Sequence, residues 1–374
     1  MTKHDVCFVG LENLPVLAKE FNHHGIGGEQ VQQTLLGLAL VNRGYKVSMV
    51  VGDYGQADGA IWEEIATYKA YRFDEGLPVL RFVHPRWTGL WRALKRANAT
   101  TYYVSCAGMQ VGLVAIFCRA HGRRFVFRAA SDTDCQPKNL LIQYRRDKKL
   151  YEFGLRRATA ILTQSKKQQV DLRTNYGLPS HVAGMLVDTP THTLSLMERD
   201  IDVLWINNLR QLKRPEKFIE LARRMPNRRF VMIGGSQAGA AKLFEEVKQF
   251  AASIPNLSFL GRVPYHDVND FYAKARVFVN TSDIEGFPNS YLQAWARGTP
   301  LVAFFDPDGV IKRAGLGIVP DTIEEMVQAA ERLLADDSTW RQTNERCLAF
   351  MAQNYGDDHI LRPYLAALGL DKGS

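Results

Sequence analysis

The sequence predicts an α/β protein with two similar, doubly wound domains. Two observations carry this. Short apolar, β-branched or aromatic runs alternate with helical patterns in both halves of the chain, as a parallel sheet with helices on both faces requires. The chain has 374 residues, long for one core and comfortable for two. A third observation places the boundary: TPTHTLSLMERD (189–200) is polar and lacks a strand pattern, so 191–200 reads as a linker between domains 1–190 and 201–354. Two such sheets imply a crevice between the domains, and ligands bind beyond the carboxyl ends of the strands.

DVCFVG (5–10) opens the strand series, and KVSMVV (46–51), VLRFV (79–83), TYYVS (101–105), RFVFR (124–128) and AILTQ (160–164) continue it. After the first strand, Val31, Leu35, Leu38 and Ala39 fall on one helical face. A further helix is predicted over 139–157. In the second half IDVLWIN (201–207) leads to a helix opening at Pro215, and RRFVMIGG (228–235) to one near 239–251. LSFLG (257–261) precedes a helix with Asp267 as its predicted N-cap. RVFVN (276–280) leads to a helix with Pro288 at its first position. The stretch 321–336 opens with D-x-x-E, close to a capping box.

Composition excludes several classes. Hydrophobic content of 46% with 23% charged residues is that of a globular protein. There is no 18-residue apolar run, and the start, MTKHDVCFVG, reads as a strand rather than a signal peptide. The five cysteines form no C-x-x-C pair, which argues for a reducing, cytoplasmic compartment and against a zinc site. Residues 1–200 hold 26 Lys and Arg against 18 Asp and Glu, and residues 201–374 hold 21 of each, so the net charge of +8 belongs to the first part. An anionic partner or plain solubility explains that excess; no nucleic-acid-reading motif accompanies it.

Three stretches carry chemistry. HHGIGGEQ (23–30) is a glycine turn at a helix start, where backbone N–H groups can approach an anion. Gln30 breaks the dinucleotide G-x-G-x-x-G pattern. In WINNLRQLKRPEKF (205–218), Arg210 and Lys213 lie in the loop after a buried strand, two cations suited to a diphosphate. In EGFPNSYLQAWARGTP (285–300) a lone carboxylate, Glu285, stands at a strand's mouth. The N–H groups of Asn289, Ser290 and Tyr291 are expected to point outward from a helix end carrying about +0.5 charge. Glu285 would accept hydrogen bonds from sugar hydroxyls there, or serve as a cap, and Gln293 could reach a ribose.

These stretches resemble the retaining nucleotide-sugar glycosyltransferases of the GT-B fold, family-four type (glycosyl transferases group 1). The likeness rests on Glu285-Gly286-Phe287 with Gln293 eight residues on, on the Ala-x-Ala-x-Gly-Thr-Pro that closes the helix, on NNLRQLKRPEKFIELA and FVMIGG, and on LSFLGRVPYHDVNDFYAKARVFVNTSDIEGF and YEFGLRRATAILTQSKKQQ. It implies two Rossmann-like α/β/α domains facing a cleft, with the donor on the C-terminal one. Catalysis would fall to Glu285 with Arg210 and Lys213 on the diphosphate. Asn208, Gly234, Arg262, Val263 and the turn Gly286, Phe287, Pro288, Asn289 and Ser290 would bind the donor, with Gln293 on the ribose. Gly27 and Gly28 would approach it from the N-terminal domain, which carries the acceptor. The last residues, 355–374, would pack back on that domain.

The family usually has a second glutamate where this chain has Gln293, and a histidine where it has FRAASDTD (127–134). Ser131, Asp132 or Asp134, or His23 and His24, are candidates to replace that histidine. Arg128, Ser131 and Asp132 are the acceptor-side candidates. No metal and no cofactor is expected: the nucleotide sugar is a substrate, and the acceptor a glycan or lipid-linked precursor of a cell-surface polysaccharide. Alternatives are a non-catalytic nucleotide-sugar or polysaccharide binder and a nucleotide-sugar epimerase. Finally, Trp87, Leu90, Trp91 and Leu94 share one helical face, with Arg92, Lys95 and Arg96 off it. Either that stripe packs on the N-terminal sheet, or it lies in the inner face of an anionic membrane as a peripheral contact.

Overall fold

The computed structural model describes residues 3–21, 26–78, 80–236, 241–283 and 287–371. It forms two compact units, Met1–Leu186 with Asp357–Ser374, and Val187–Gly356. The sheet of unit 1 comprises β1 (His4–Val9), β2 (Val47–Val51), β3 (Ile61–Trp62), β4 (Ile65–Lys69), β5 (Ala99–Ser105), β6 (Arg124–Arg128), β7 (Ala160–Thr163) and β8 (His181–Val182). Its order is β3-β4-β2-β1-β5-β6-β7-β8. All pairs are parallel except β3–β4. The sheet of unit 2 is parallel throughout, in the order β11-β10-β9-β12-β13-β14. Its strands are β9 (Ile201–Ile206), β10 (Phe230–Ile233), β11 (Leu257–Phe259), β12 (Ala275–Asn280), β13 (Leu301–Ala303) and β14 (Gly317–Ile318).

Central strands such as β2, β10 and β13 are buried along their whole length, because helices cover both faces of a parallel sheet. Two of those helices in unit 1, Met109–His121 and Arg145–Leu155, meet through glycines. A Cβ on Gly112 would lie 2.4 Å from Leu150 O, and one on Gly154 2.4 Å from Val111 O. The last helix, Asp357–Leu368, is bonded into unit 1. Thr101 Oγ1 donates to Leu368 O, Arg124 Nε to Ala367 O and Tyr364 OH to Gly184 O, at 2.7–2.9 Å.

Several elements depart from the sequence reading. Of the stretch VLRFV, Leu80–Val83 are not a strand: Phe82–Trp87 forms a wide helical turn ahead of the helix Thr88–Ala97. The strand beside β2 is instead β4, whose Ile65 and Thr67 are fully buried. The helix Gly28–Val41 buries Leu36 and Leu40 rather than Leu35 and Leu38. Its polar Gln32 and Gln33 also turn inward, Gln32 exchanging two hydrogen bonds with the Leu186 backbone and Gln33 accepting from Asn13. The helix expected over 139–157 is Arg145–Leu155. Asp267 is no N-cap: its helix starts at Tyr265 behind Pro264. Thr322, not Asp321, caps the helix Ile323–Ala335.

Residues 191–200 are not a free linker but part of unit 2. Arg199 is 5% exposed and donates to Ala275 O, Thr299 Oγ1, Arg297 O and Leu194 O. A buried guanidinium needs its N–H groups satisfied, and these acceptors draw the segment into the fold.

The face Trp87, Leu90, Trp91, Leu94 is also spoken for. Leu90 and Leu94 are buried in the core of unit 1, and Trp87 and Trp91 pack against it. Trp91 lies edge-on to Phe117 with ring centroids 5.0 Å apart. The stripe therefore packs on its own sheet.

Candidate functional site

At the carboxyl ends of β9 and β10 two loops brace one another. Asn207 N–H donates to Ile233 O, and Leu209 N–H to Gly235 O. Gly234 has to be glycine, since a Cβ there would sit 2.6 Å from Asn207 O. The β9 loop, with exposed Asn208 and Arg210, runs into a single turn, Gln211–Lys213. That turn is clamped against the chain leaving β12: Thr281 Oγ1 donates to Lys213 O at 2.8 Å, and Asp283 N–H donates to Leu212 O. Thr281 in turn accepts from the fully buried Trp205 indole of β9 at 3.0 Å.

Arg214 follows in the left-handed region at φ +49° and forms an ion pair with Asp283 at 2.9 Å. Lys217 lies 3.7 Å from the same carboxylate, and Glu216 also binds Arg214. The structure thus sets the Arg210–Lys213 cations beside the segment that leads into Glu285, joining residues about seventy positions apart.

The helix after β12 starts at Asn289, with Pro288 as its N-cap, one residue later than expected. Pro288 has ψ 125°, an extended cap conformation, so its carbonyl rather than its ring opens the helix. Tyr291 N–H donates to Pro288 O at 3.1 Å and is not an outward-facing donor. Asn289 and Ser290 remain at the partly exposed end, where the aligned peptide dipoles favour an anion. Phe287 faces Trp295, ring centroids 6.4 Å apart. Gln293, one helical turn in, donates from Nε2 to Asn269 Oδ1 at 3.4 Å. Asn269 binds Asp188, and Arg297 binds Asp188 at 3.0 Å. Across the sheet edge, exposed Arg262 donates to Ser236 O at 3.1 Å, next to half-buried Val263. Glu285 and Gly286 lie outside the described residues, as do His23 and His24.

Residues 200–336 match the family described as glycosyl transferases group 1. The chain has the GT-B fold, and unit 2 contains the stretch similar to group 1 glycosyl transferases. A curated Haemophilus influenzae protein described as an uncharacterized glycosyltransferase is 25% identical over 156 residues, which span 40% of this chain and 42% of that protein. Among solved structures, Anabaena HepE in complex with UDP and glucose superposes with a TM-score of 0.73 at 15% identity, covering 98% of this chain and 99% of that one. Sucrose-phosphate synthase from Thermosynechococcus elongatus gives 0.67 at 15% identity, covering 99% and 97%. Likenesses at that identity establish the fold.

Unit 2 holds the described donor-side candidates Asn208, Arg210, Lys213, Gly234, Arg262, Val263, Phe287, Pro288, Asn289, Ser290 and Gln293 on the segments that follow β9, β10, β11 and β12. Sequence reasoning missed the residues that brace them: Arg214, Asp283, Asn269 and Asp188.

In unit 1, Gly27 caps the helix that starts at Gly28, and a Cβ on Gly27 would meet Gln30 Oε1 at 2.5 Å. Behind this turn, Glu29 lies 3.5 Å from Arg128, at the end of β6. Arg128 is 1% exposed, and none of its side-chain nitrogens has a hydrogen-bond partner among the described residues. Burial pushes the Glu29 carboxyl upward, with Arg128, Ser105 and Gln33 pulling against it. Ser131 and Asp134 cap a short turn: Ser131 Oγ accepts from Thr133 N–H, and Asp134 from the Ala130 and Ser131 N–H groups. Burial raises the Asp134 carboxyl despite these bonds. Asp132 is paired with Lys167 at 2.8 Å and accepts from Gln168. Ser131 and Asp132 thus make local contacts just after β6.

Proposed function

We propose that this protein transfers a sugar from a nucleoside-diphosphate donor to a saccharide acceptor, with retention and without a metal. The observation that carries the reading is the clamp of the Arg210–Lys213 turn onto Thr281–Asp283. It holds the turn that carries Lys213 against Thr281 and Asp283, a few residues before the helix that starts after Pro288. As the anomeric bond breaks, charge develops on the leaving diphosphate. Groups already fixed at that place stabilise it without reorganising. Glu285 accepts hydrogen bonds from the transferred sugar, and Gln293, its amide N–H engaged by Asn269, offers its oxygen to a ribose hydroxyl. HepE, of similar fold, holds UDP and glucose, which makes UDP the first nucleotide to try. WaaG, a similarly folded glycosyltransferase involved in lipopolysaccharide biosynthesis, supports a role in cell-surface glycan assembly.

Thermal unfolding with a panel of nucleoside diphosphates tests the reading. A ligand at one hundred times its dissociation constant stabilises by about 2.7 kcal/mol. If no nucleoside diphosphate shifts the transition, the proposal fails.

A further inference from the structure

A cavity of about 480 Å³ opens in unit 1 beyond the carboxyl ends of β1, β2 and β4. It lies within the ~300–1,000 Å³ that small-ligand sites occupy. Glu12, Asp53 and Asp74 line it together with Arg72, and Tyr54 and Phe73 supply its aromatic wall. Phe73 is 43% exposed and stands edge-on to both Tyr54 and Tyr71, centroids 5.8 and 6.2 Å away.

The walls are held in place by the backbone. Gly52 N–H donates to Leu11 O, and Asp53 N–H to Tyr71 O, so the three loops are laced together. Gln56, 6% exposed, accepts from Tyr54 N–H and donates to Gly52 O. Gly55, at φ +97°, donates to Asp53 Oδ1 and closes the turn that aims this carboxylate. Gly52 lets Phe73 come close: a Cβ there would lie 2.7 Å from the ring.

Glu12 takes a hydrogen bond from Gln30 at 2.8 Å, Asp53 lies 3.3 Å from Lys69, and Asp74 3.5 Å from Arg72. Each carboxylate has more lone pairs than these partners use. Three carboxylates against one lining arginine repel an anion. A sugar ring suits both parts of the lining: its hydroxyls donate to carboxylates, the stronger kind of hydrogen bond, and its C–H face lies on Phe73.

We propose that this cavity is a binding site for an uncharged saccharide unit, the acceptor of the proposed transfer, held by Glu12, Asp53 and Phe73. This deepens the proposed function and rests on it for the word acceptor. The cavity selects against phosphorylated or carboxylated sugars.

Saturation-transfer NMR on the full chain tests it, with the methyl pyranosides of glucose, galactose and mannose at millimolar concentration and glucose 6-phosphate as the anionic control. At least one neutral glycoside should give transfer and glucose 6-phosphate none. Asp53→Asn and Glu12→Gln should each weaken that glycoside about ten-fold, as loss of a charged acceptor does, and Phe73→Ala should abolish its signal. Unfolding temperature and nucleoside-diphosphate binding should be unchanged in these variants, which shows that they fold. No signal from any glycoside, equal signal from the phosphate, or unaltered binding in all three variants overturns the site. Glycoside binding without any nucleoside-diphosphate binding instead overturns the transferase reading and leaves the saccharide site standing.

Discussion

At the residue scale, the cations Arg210 and Lys213 and the carboxylate Glu285 could be picked out because charged residues directly after buried runs stand out. Their bracing could not. Asp283 meets Arg214 and Lys217 only because β9 and β12 are neighbours in the sheet, and no local pattern encodes that adjacency. If the two cations hold the diphosphate as proposed, Arg210→Ala or Lys213→Ala should weaken nucleoside-diphosphate binding and leave nucleoside binding nearly unchanged. Calorimetric titration of the two ligands side by side reads this, and equal diphosphate affinity in both variants contradicts the assignment. For Glu285→Gln, we expect transfer to fall by about 10²-fold, since a charged hydrogen bond contributes roughly 1.5–3 kcal/mol, with diphosphate affinity little altered. A variant of wild-type activity would return Glu285 to a cap.

At the element scale, runs with a strong period or a clear stop were legible, and ambiguous ones were settled by packing. RFVFR and AILTQ form β6 and β7. VLRFV satisfies a strand pattern equally well, yet it precedes Pro85, whose ring supplies no N–H for a ladder. The helix Gly28–Val41 shows the limit of periodicity. Its inward glutamines are stabilised by partners at Asn13 and Leu186, which no helical wheel can contain. The helix Thr88–Ala97 had two possible destinations for one apolar stripe, and the core of unit 1 took it. Trp91→Ala should therefore destabilise the protein, by about 2 kcal/mol for a half-buried indole, as read by urea unfolding. The same variant should leave sedimentation with anionic vesicles unchanged. A vesicle-binding defect at unaltered stability contradicts this packing role.

At the scale of the whole molecule, the charge excess lies in residues 1–200. Part of it is spent on local partners: Arg146 lies over the Phe82 ring and Arg157 over the Phe153 ring, and Arg156 donates to Tyr176 O. If the protein meets an anionic membrane, the attraction rests on diffuse charge, which salt screens within about 8 Å at physiological ionic strength. Sedimentation with anionic vesicles at low salt, lost at physiological salt, is the expected result. Binding that persists at high salt contradicts it. Transfer activity, assayed with excess EDTA, should stay largely intact if, as proposed, Arg210, Lys213 and the helix end meet the leaving charge. Complete loss, restored by a divalent cation, contradicts the metal-independent mechanism.

The alternation of buried runs and helical patterns determined the fold class by itself. A parallel strand covered on both faces has to be apolar throughout, and its crossover has to be long enough for a helix. The Glu285–Pro300 and Trp205–Phe218 stretches marked a candidate anion site, since cations and a helix start after a strand describe a local geometry. Tertiary structure decided what depends on contacts between distant segments. It drew 191–200 into unit 2 through Arg199, buried the tryptophan stripe, and set Lys213 against Thr281. It also opened a cavity between Glu12, Asp53 and Phe73, residues on three loops. The reason is the same in each case: a side chain's partner is chosen by sheet order, and sheet order is a property of the packed molecule rather than of any window of sequence.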